Sequence, residues 1–500
     1  MLHVTRQSGR QKEQPMLCLT LTGRTLLENI SQYERNKDWV GAVELRLDYL
    51  EESEARLAGS LPEQFPVPMI LTCRRESDGG LCTSTERKRL SLMKEVLDRG
   101  AFAYVDLEDD LKKTEAEQLA RRKGIRIIRS HHDFSGMPAD IYARMARILA
   151  KGDIPKLAVT PHTVEDVIRL FRIKDEIPGS TEKIVIGMGV LGIPTRILYR
   201  KIGSSMMFCC DEAAESVAPG MLSARVLSEV YGADKVDAET EIFGIIGNPV
   251  SQSASPLIHN PGFRAIKKNA IYSLFPVDAV RPFFRLADVL DIRGFSVTVP
   301  FKRDVIPYLG TISREVKQIG SCNTVVRVKD LWKGINTDYH GFLSQLMPAI
   351  TSGRVRTALI LGAGGAARAV AWALHNHSVK ITILNRSAEA ARKLAAETMA
   401  GWDVLENISE YSGKSDMIVQ TTSVGMTPDS DEDPSAGYVF SGKEIAYDLV
   451  YKPHQTRFLL RAAEAGCEVI YGAQMLLEQG KLQFEAFTGY HYPHWLEPDW

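Results

Sequence analysis

The sequence has little of what marks secreted, membrane-embedded and nucleic-acid-binding proteins. No apolar run is long enough to span a bilayer, and the polar residues 1–15 lack the apolar core of a secretory signal. The 61 Lys and Arg residues are matched by 62 Asp and Glu residues, so the net charge of -1 gives no overall attraction to nucleic acid. The 7 cysteines include no Cys-x-x-Cys pair, which favours reduced thiols over a disulfide framework. We therefore predict a cytoplasmic protein that binds small molecules and has no membrane or nucleic-acid partner.

The first half of the chain alternates between short apolar runs and segments with helical periodicity, such as residues 84–100 and 115–123. At about 150 residues per domain, the chain of 500 residues should form roughly three domains. The alternation predicts that the first of them is a (β/α)8 barrel, whose chemistry lies where the strands end at the C-terminal face. The predicted strands are residues 16–21, 42–47, 68–73, 103–107, 126–129, 156–160, 183–186 and 204–209.

Charged side chains interrupt or follow these predicted strands. They are Glu44, Arg46 and Asp48 on one face of the second, Arg74 after the third, His131 and His132 after the fifth, Lys156 opening the sixth and Arg196 after the seventh. Burial among basic groups favours the neutral form of a lysine, which can attack a ketone and form a Schiff base. A nearby histidine can shuttle protons at neutral pH, and arginines can bind a carboxylate. Taken singly, Lys156 could instead reach solvent from a strand end, and His132 could cap a helix.

Over about its first 220 residues the chain resembles type I 3-dehydroquinate dehydratase. The matching motifs are Glu44-Leu-Arg46-Leu-Asp48, Thr72-Cys-Arg74, His132-Asp133-Phe134, Asp153-Ile-Pro-Lys156 and Ala218-Pro219-Gly220. The resemblance implies a Schiff base between Lys156 and the C3 ketone of 3-dehydroquinate, proton transfer by His132, and no metal or organic cofactor. The substrate-binding residues it implies are Thr20, Glu44, Arg46, Arg74 and Arg196. The chain departs from the family at Asp78, Val217 and Met221, where Glu, Ser and Gln are usual.

A second set of polar motifs follows a polar linker at residues 231–240. Ser253 and Ser255 are two residues apart, so both hydroxyls can face one side of an extended loop, although Ser255 is also a candidate helix cap. Lys302 and Asp338 are a candidate acid/base pair, in which the carboxylate orients an amine that exchanges a proton with a hydroxyl. The alternative is a surface ion pair of little energetic value. With the amide side chains nearby in the sequence, these groups suit a small substrate with many hydroxyls.

A glycine-rich turn connects a predicted strand at residues 358–361 to an Ala-rich predicted helix. The turn reads Gly362-x-Gly364-x-x-Ala367, in which glycines permit a sharp turn and close approach of a pyrophosphate to the backbone. The N-terminus of the following helix offers free N–H groups to that anion. The next predicted strand ends in Asn385-Arg386-Ser387. Because an arginine stands where NAD-binding folds usually have a carboxylate, the pattern favours NADP.

From about residue 241 to 488 the chain resembles shikimate dehydrogenase. The matching motifs are Ser253-x-Ser255, Thr298-Val-Pro-Phe-Lys302, Cys322-Asn323-Thr324, Asn336-Thr337-Asp338, Asp448-Leu-Val-Tyr451 and Met475-Leu-Leu-Glu-Gln479. The resemblance implies that Lys302 and Asp338 are catalytic. It implies that shikimate binds to Ser253, Ser255, Thr298, Asn323, Asp338, Tyr451 and Gln479, and that NADPH binds to Gly362, Ala363, Gly364, Gly365, Ala366, Asn385, Arg386, Ser387, Thr422 and Gly472. One departure is Ala390, where some members have a second arginine for the 2′-phosphate; Arg392 is a candidate substitute.

The two resemblances together imply a bifunctional enzyme of the shikimate pathway that dehydrates 3-dehydroquinate and reduces 3-dehydroshikimate with NADPH. One alternative is a Schiff-base aldolase barrel fused to a quinate dehydrogenase, and another is a non-catalytic metabolite sensor on the same folds. The predicted fold is an α/β TIM barrel followed by a two-lobed dehydrogenase with a Rossmann-type lobe. The predicted segments are a tail at 1–14, the barrel at 15–230, the linker at 231–240, a substrate lobe at 241–345, an NADP-binding lobe at 346–473, and a helix returning to the substrate lobe with the tail at 474–500.

Overall fold

The computed structural model describes residues 16–177, 181–214 and 216–498. Its contacts divide the chain into two units, and each is described separately. The first holds the described residues up to Thr240 together with Ser273–Asp291, and the second holds Glu241–Tyr272 and the described residues from Ile292 onward. Within the described ranges, no helix is long and apolar enough to cross a membrane.

The first unit is built on eight parallel strands in the order β7-β6-β5-β4-β3-β2-β1-β8. The strands are β1 (Met16–Leu21), β2 (Ala42–Arg46), β3 (Met69–Thr72), β4 (Tyr104–Glu108), β5 (Arg126–Asp133), β6 (Ile154–Val159), β7 (Ile184–Gly187) and β8 (Met206–Cys209). All eight predicted runs coincide with strands, and the predicted (β/α)8 barrel is confirmed. Two details of the prediction were wrong. Strand β5 continues through His132, and Lys156 is the third residue of β6, because Ile154 already pairs with Ile128 of β5.

Helices follow the strands of the barrel, and three of them begin at a threonine cap. Thr25 and Thr114 each accept a hydrogen bond from the N–H three residues on, and Thr163 forms a reciprocal capping box with Asp166. These helices are α1 (Leu26–Asn36), α2 (Glu52–Ala55), α3 (Glu86–Arg99), α4 (Glu115–Lys123), α5 (Ile141–Leu149), α6 (Val164–Phe171), α7 (Ile173–Glu176), α8 (Ile193–Ile197) and α9 (Tyr199–Ile202). The alternation returns each strand to the same direction, so the C-terminal ends of the strands meet at one face.

A six-stranded mixed sheet follows, in the order β10-β9-β11-β13-β14-β12. Its strands are β9 (Glu241–Gly247), β10 (Ala270–Pro276), β11 (Ile292–Val297), β12 (Thr311–Ile312), β13 (Thr324–Val328) and β14 (Leu331–Ile335). The helices of this segment are α10 (Ser255–Ala265), α11 (Val280–Leu290), α12 (Arg314–Ile319) and α13 (Asp338–Thr351). Since β9 and β11 are adjacent and parallel, the loops that follow them, with Ser253 and Thr298, leave the sheet at the same edge.

The last sheet is parallel, in the order β17-β16-β15-β18-β19-β20. Its strands are β15 (Thr357–Leu361), β16 (Lys380–Asn385), β17 (Gly401–Val404), β18 (Met417–Gln420), β19 (Ile445–Asp448) and β20 (Glu468–Ile470), and its helices are α14 (Gly365–Asn376), α15 (Ala388–Thr398), α16 (Arg457–Glu464) and α17 (Gly472–Thr488). This strand order is that of the doubly wound dinucleotide-binding fold. The predicted Rossmann-type lobe is therefore confirmed, and the strand order reverses between β15 and β18, the position at which such folds bind their ligands.

Candidate active sites

Lys156 lies in the interior of the barrel between two carboxylates. Its Nζ donates a hydrogen bond to Asp106 Oδ2 at 2.9 Å and lies 3.7 Å from Glu44 Oε1. The ring centroid of Phe208 is 3.8 Å away, and the lysine side chain is 5% exposed. The expectation that its neighbours are basic was therefore wrong in its main part, since the nearest charges are negative.

Asp106 connects the lysine to Arg74 and was missed by the sequence reasoning. Arg74 pairs with Asp106 at 2.9 Å and donates to Ser130 Oγ at 2.9 Å, while Ser130 donates to the other oxygen of Asp106 at 2.5 Å. Burial opposes ionisation of Asp106, but the positive charges of Arg74 and Lys156 hold its pKa well below the usual range. A signal was present in the sequence: Asp106 and Glu108 alternate in β4 in the way that Glu44 and Arg46 alternate in β2.

Two threonines on neighbouring strands hold Glu44. Thr20 of β1 donates to Glu44 Oε2 at 3.0 Å, and Thr72 of β3 donates to Oε1 at 2.8 Å. Both oxygens of this buried carboxylate thus accept a hydrogen bond from a threonine. Arg46 is likewise engaged, since its guanidinium forms two hydrogen bonds with Asp48, of 3.0 and 2.6 Å.

His132 lies on the strand beside Lys156. In the pairing of β5 with β6, Ser130 is opposite Lys156 and His132 is opposite Ala158, so the histidine is two residues nearer the C-terminal end on the same face. Burial first, and then the charges of Arg74 and Lys156, lower the pKa of His132 well below its ordinary value. Its buried Nδ1 has no hydrogen-bond partner in the described part of the chain. The imidazole is therefore neutral at pH 7 and can accept a proton.

The adjacent His131 has a different environment. Its Nδ1 lies 3.3 Å from Asp109, whose other oxygen accepts a hydrogen bond of 2.6 Å from Arg144. His131 thus lies in a cluster with Asp109 and with Arg144 of α5, and its ring is engaged there. We therefore favour His132 over His131 as the candidate base.

The guanidinium of Arg196 is not paired with a carboxylate of the described residues. It lies in α8, it is almost completely buried, and its Nε has no partner among the described residues. One contact is a long hydrogen bond of 3.4 Å from its terminal nitrogen to the carbonyl oxygen of Pro219, in the Ala218-Pro219-Gly220 loop. Burial lowers the pKa of Arg196 to about 10. A buried guanidinium without a carboxylate partner is suited to bind an anionic ligand.

The loop after β3 packs over the His132-Asp133-Phe134 segment. Gly79 has a φ of 76°, and a Cβ there would overlap the ring of Phe134. Asp78, which departs from the family pattern, accepts a hydrogen bond of 2.6 Å from Arg75. Asp78, which is one methylene shorter than the glutamate usual in the family, is therefore held by a hydrogen bond within its own loop. The structure gives no contact that explains Val217 or Met221.

In the second unit, Lys302 and Asp338 form a short ion pair. Lys302 Nζ donates to Asp338 Oδ2 at 2.6 Å, and the two side chains are 15% and 7% exposed. The surface-pair alternative was therefore wrong, because both groups are largely removed from solvent. Asn323 donates to the other oxygen of Asp338 at 2.8 Å. Asp338 is also the first residue of α13, where the helix dipole favours a negative charge.

The serine pair lies at the start of α10. Ser253 donates to Ser255 at 3.2 Å, and the Tyr451 hydroxyl is hydrogen-bonded to the Ser253 side chain and the Ala254 backbone. Ala254 occupies the N-cap position and makes no side-chain cap bond, so the predicted cap at Ser255 was wrong. The Ser255 hydroxyl is instead turned toward Tyr272.

A buried hydrogen-bond chain connects the serines to Asn323. Tyr272 donates to Ser296 at 2.6 Å, Ser296 donates to Gln483 at 2.8 Å, and Gln483 donates to Thr324 at 3.0 Å. Thr324 then donates to Asn323 Oδ1 at 2.9 Å, and Gln479 Oε1 lies 3.3 Å from Asn323 Nδ2. The sequence reasoning missed the three middle members, Tyr272, Ser296 and Gln483. Thr298 follows β11 and has its methyl group against Gly247.

The glycine turn lies between β15 and α14. Gly362 has a φ of 113°, and a Cβ there would be 2.5 Å from Thr421 Oγ1, which donates to the Leu361 carbonyl at 2.6 Å. Gly364 has open space around its Cβ position. The first N–H groups of α14, beginning at Gly365, have no intrahelical acceptors and follow the C-terminal end of β15. This arrangement fits a dinucleotide pyrophosphate.

The predicted cofactor residues lie on several loops of this sheet. Arg386 is exposed just after β16, between Asn385, which donates to the Ser387 carbonyl at 3.1 Å, and Ser387, which caps α15. Thr422 donates to Gln420 at 3.0 Å just after β18. Gly472 starts α17 so close to the Val450 carbonyl that a Cβ would overlap it. Within the described residues, no group of three or more His, Cys, Asp and Glu side chains could hold a metal ion.

Three family models match the chain in succession. The model of type I 3-dehydroquinase matches residues 17–238. The model of the shikimate dehydrogenase substrate binding domain matches residues 245–325, and that of shikimate/quinate 5-dehydrogenase matches residues 347–427.

Relatives extend over one half or nearly all of the chain. The chloroplastic bifunctional 3-dehydroquinate dehydratase/shikimate dehydrogenase of Arabidopsis thaliana is 30% identical over 489 residues, covering 93% of this chain and 80% of its own. The shikimate dehydrogenase (NADP(+)) of Moorella thermoacetica is 39% identical over 271 residues, covering 52% of this chain and 92% of its own. Among solved structures, the shikimate 5-dehydrogenase of Thermus thermophilus in complex with NADP(H) and shikimate is 33% identical, covers 51% of this chain and 95% of its own, and has a TM-score of 0.45. The match to the Arabidopsis protein and the order of the family models show that the chain belongs to the bifunctional 3-dehydroquinate dehydratase/shikimate dehydrogenase family.

Proposed function

We propose that the barrel dehydrates 3-dehydroquinate to 3-dehydroshikimate and that the second unit reduces this product to shikimate with NADPH. The observation behind the proposal is a pair of lysines, Lys156 buried and Lys302 largely shielded from solvent, each with a partner suited to its reaction. Lys156 lies beside a neutral His132 in the barrel, and Lys302 is bound to Asp338 beside the glycine turn. The proposed segments are the barrel at 15–230, the linker at 231–240, the substrate lobe at 241–345, the NADP-binding lobe at 346–473 and the returning helix with the tail at 474–500.

In the barrel, the amine of Lys156 would attack the C3 carbonyl of 3-dehydroquinate after losing a proton, and loss of water would give an iminium. The iminium withdraws electrons, so the neighbouring C2–H becomes acidic and His132 can remove the proton. The resulting enamine expels the C1 hydroxyl, which leaves as water after protonation by His132. Hydrolysis of the iminium then frees the product and restores the lysine. Asp106, at 2.9 Å from Nζ, would stabilise the positive charge of the iminium.

The substrate carboxylate is assigned to Arg196. Arg46 is already paired with Asp48, and Arg74 with Asp106, so both are committed to protein carboxylates. Arg196 has a free Nε and no carboxylate partner among the described residues. Arg46 and Arg74 would therefore orient the acidic residues and contact substrate hydroxyls, while Thr20 would act by holding Glu44.

In the second unit, NADPH supplies a hydride when bound. Lys302 would donate a proton to the ketone oxygen as it becomes the hydroxyl of shikimate, and Asp338 would hold the ammonium toward that oxygen. Asn323 fixes the second oxygen of Asp338, which leaves the carboxylate one orientation. Ser253, Ser255 and Tyr451 would bind the shikimate carboxylate end, with Thr298 and Gln479 at its hydroxyls.

NADP is the proposed cofactor because of the glycine turn and Arg386. The free N–H groups of the first turn of α14 would bind the pyrophosphate, and the exposed guanidinium of Arg386 would bind the 2′-phosphate. We further propose that the protein is cytoplasmic, since its 7 cysteines are free thiols. It would act on small molecules, with no nucleic-acid or membrane partner.

The test is the coupled reaction of the whole chain with 3-dehydroquinate and NADPH. Consumption of NADPH, followed by absorbance, is expected for the wild type. Lys156→Ala should abolish consumption from 3-dehydroquinate but leave the reduction of added 3-dehydroshikimate intact, and Lys302→Ala should abolish both. A wild-type chain that consumes no NADPH with either substrate would refute the proposed function. NADPH consumption from 3-dehydroquinate that persists in Lys156→Ala, without reduction of added 3-dehydroshikimate, would favour the quinate dehydrogenase alternative.

A further inference from the structure

We infer that Arg368, on the helix after the glycine turn, is a positioning residue for the proposed shikimate dehydrogenase reaction. It acts by holding the segment of the substrate lobe that bears Asn323 and supports Lys302. Arg368 lies in α14, four residues after Gly364, and is 7% exposed. The inference rests on the proposed function, because it assigns a role within that reaction.

Arg368 makes charged contacts with two other helices. Its Nε donates to the carbonyl oxygen of Ile319, the last residue of α12, and its terminal nitrogens pair with Glu397 of α15. The last carbonyls of a helix lack intrahelical donors and carry partial negative charge, so a guanidinium there supplies both the missing donor and the favourable charge. Glu397 fixes the remaining face of the guanidinium, whose planar fork suits a carboxylate.

The contact continues at Gly320, which ends α12 with a φ of 65°. A Cβ at Gly320 would be 3.2 Å from the Arg368 guanidinium, so the turn lies directly on it. The residues that follow are Ser321, Cys322 and Asn323. The path of the chain into this segment is therefore set by a side chain of the cofactor-binding helix.

The held segment contacts both members of the catalytic pair. The Cys322 N–H donates to the carbonyl oxygen of Lys302 at 2.7 Å, and Asn323 donates to Asp338 at 2.8 Å. Asn336, two residues before Asp338, donates to the Ser321 carbonyl at 2.8 Å. A displacement of the segment would thus move the backbone of Lys302 and a hydrogen bond of Asp338 together.

The glycine turn meets the same segment. A Cβ at Gly365 would be 3.2 Å from Lys302 Cβ and 3.2 Å from Ser321 Oγ, which brings the first residue of α14 against the lysine stem. Arg368 lies one turn farther along the same helix. It therefore fixes the distance between the turn that would hold the cofactor and the residues that would transfer the proton.

The test compares full-length Arg368→Met and Arg368→Lys with the wild type. We expect Arg368→Met to lower kcat for 3-dehydroshikimate reduction by about 10- to 100-fold, because misplacement of reacting groups by about 1 Å costs this much. NADPH affinity, measured by fluorescence titration, should change by less than about threefold, and the dehydratase rate of the same preparation should be unchanged. Arg368→Lys keeps the positive charge and one donor nitrogen of the three, so it should recover part of kcat.

Arg354→Met is the matched control. Arg354 pairs with Glu468 at 2.7 Å in the same unit, but both side chains are more than half exposed, so its loss should leave kcat unaltered. If Arg368→Met fails to fold, Glu397→Gln tests the same contact with a smaller change, and a normal kcat in that variant overturns the role. An unaltered kcat in Arg368→Met overturns it directly, as does an equal loss of kcat and NADPH affinity. A wild type without turnover would instead refute the proposed function and the reaction in which Arg368 acts.

Discussion

The charge around Lys156 determines how its chemistry can begin. Asp106 and Glu44 are the charged groups nearest to Lys156, and Arg74 lies beyond Asp106, so positive and negative side chains alternate around the lysine. Such an arrangement compensates the burial cost of each ion, whereas an isolated buried ammonium would be strongly disfavoured. The positive iminium of a Schiff base can occupy the same place as the ammonium, so the carboxylates suit the intermediate as well as the resting state.

Trapping of that intermediate is the first prediction at this scale. Borohydride added with 3-dehydroquinate should reduce the iminium and attach the mass of the substrate skeleton to the peptide that contains Lys156, as read by mass spectrometry. Lys156→Ala should remove the label without loss of shikimate dehydrogenase activity. Substrate-dependent labelling at any other lysine would assign the Schiff base elsewhere.

His259 provides a prediction on acid stability. It is fully buried in α10 and stacks on Tyr272 at a centroid distance of 4.2 Å, and burial lowers its pKa from 6.5 to about 3. Below pH 6.5 His259 is protonated in the unfolded chain, whereas in the folded chain it stays neutral down to about pH 3. The contribution of His259 to the free energy of unfolding is therefore fully present above pH 6.5 and is lost as the pH falls. The loss is about 1.4 kcal/mol per pH unit within that window.

The measurement compares His259→Phe, which keeps an aromatic ring at this position, with the wild type in denaturant titrations of the full-length chain at several pH values. The wild type should lose stability relative to the variant between about pH 6.5 and about pH 4. If the free energies of unfolding of the wild type and the variant changed in parallel with pH, His259 would be protonated in the folded protein at the same pH as in the unfolded chain.

At the scale of the elements, the sequence predicts the strands, turns and helices whose formation depends on neighbouring residues. All eight barrel strands were found, and so was the strand–glycine turn–helix unit, because apolar runs, alternation and glycines are properties of neighbouring residues. The same reasoning identified Lys156 as a polar residue that opens an apolar strand and His132 as one that follows a strand. It overlooked Asp106, although the same alternation was visible in β4.

Contacts between distant segments could not be predicted. The chain from Tyr272 through Ser296 to Gln483 joins residues 24 and 187 positions apart, and no local pattern marks its members. Arg368 looks like an ordinary helix residue until the fold places Ile319 and Glu397 beside it. The cap assigned to Ser255 failed for a related reason, since the fold turns its hydroxyl to Tyr272.

The glycine turn gives a prediction that separates folding from cofactor binding. Gly364 has nothing within 4 Å of its Cβ position, so Gly364→Ala should leave the stability of the free protein unchanged. It should nevertheless weaken NADPH binding by about tenfold or more, because a pyrophosphate approaches the backbone there. Gly362→Ala is the comparison: its φ of 113° and the contact with Thr421 should reduce stability as well. Equal NADPH affinity in Gly364→Ala and the wild type would place the pyrophosphate elsewhere.

At the scale of the whole molecule, one polypeptide contains the sites for two consecutive reactions. The product of the barrel is the substrate of the dehydrogenase, so their fusion fixes a ratio of one site to one site whatever the level of expression. A fixed ratio alone does not transfer the intermediate. The question is whether a released 3-dehydroshikimate is captured by its own chain before it diffuses away.

Full-length variants with one inactive site answer this question. In a mixture of Lys156→Ala and Lys302→Ala chains, the active dehydratase site and the active dehydrogenase site lie on different molecules. The concentration of each active site is kept equal to that in the wild-type sample. We expect the mixture and an equal active-site concentration of wild type to show the same lag before NADPH consumption becomes steady. The reason is that enzymes commonly capture substrates at about 10⁴–10⁸ M⁻¹s⁻¹, well below the diffusional limit of about 10⁹ M⁻¹s⁻¹ or more, so most released intermediates escape. A lag that is clearly shorter in the wild type would contradict this expectation and would require a path between the sites that bulk solvent does not share.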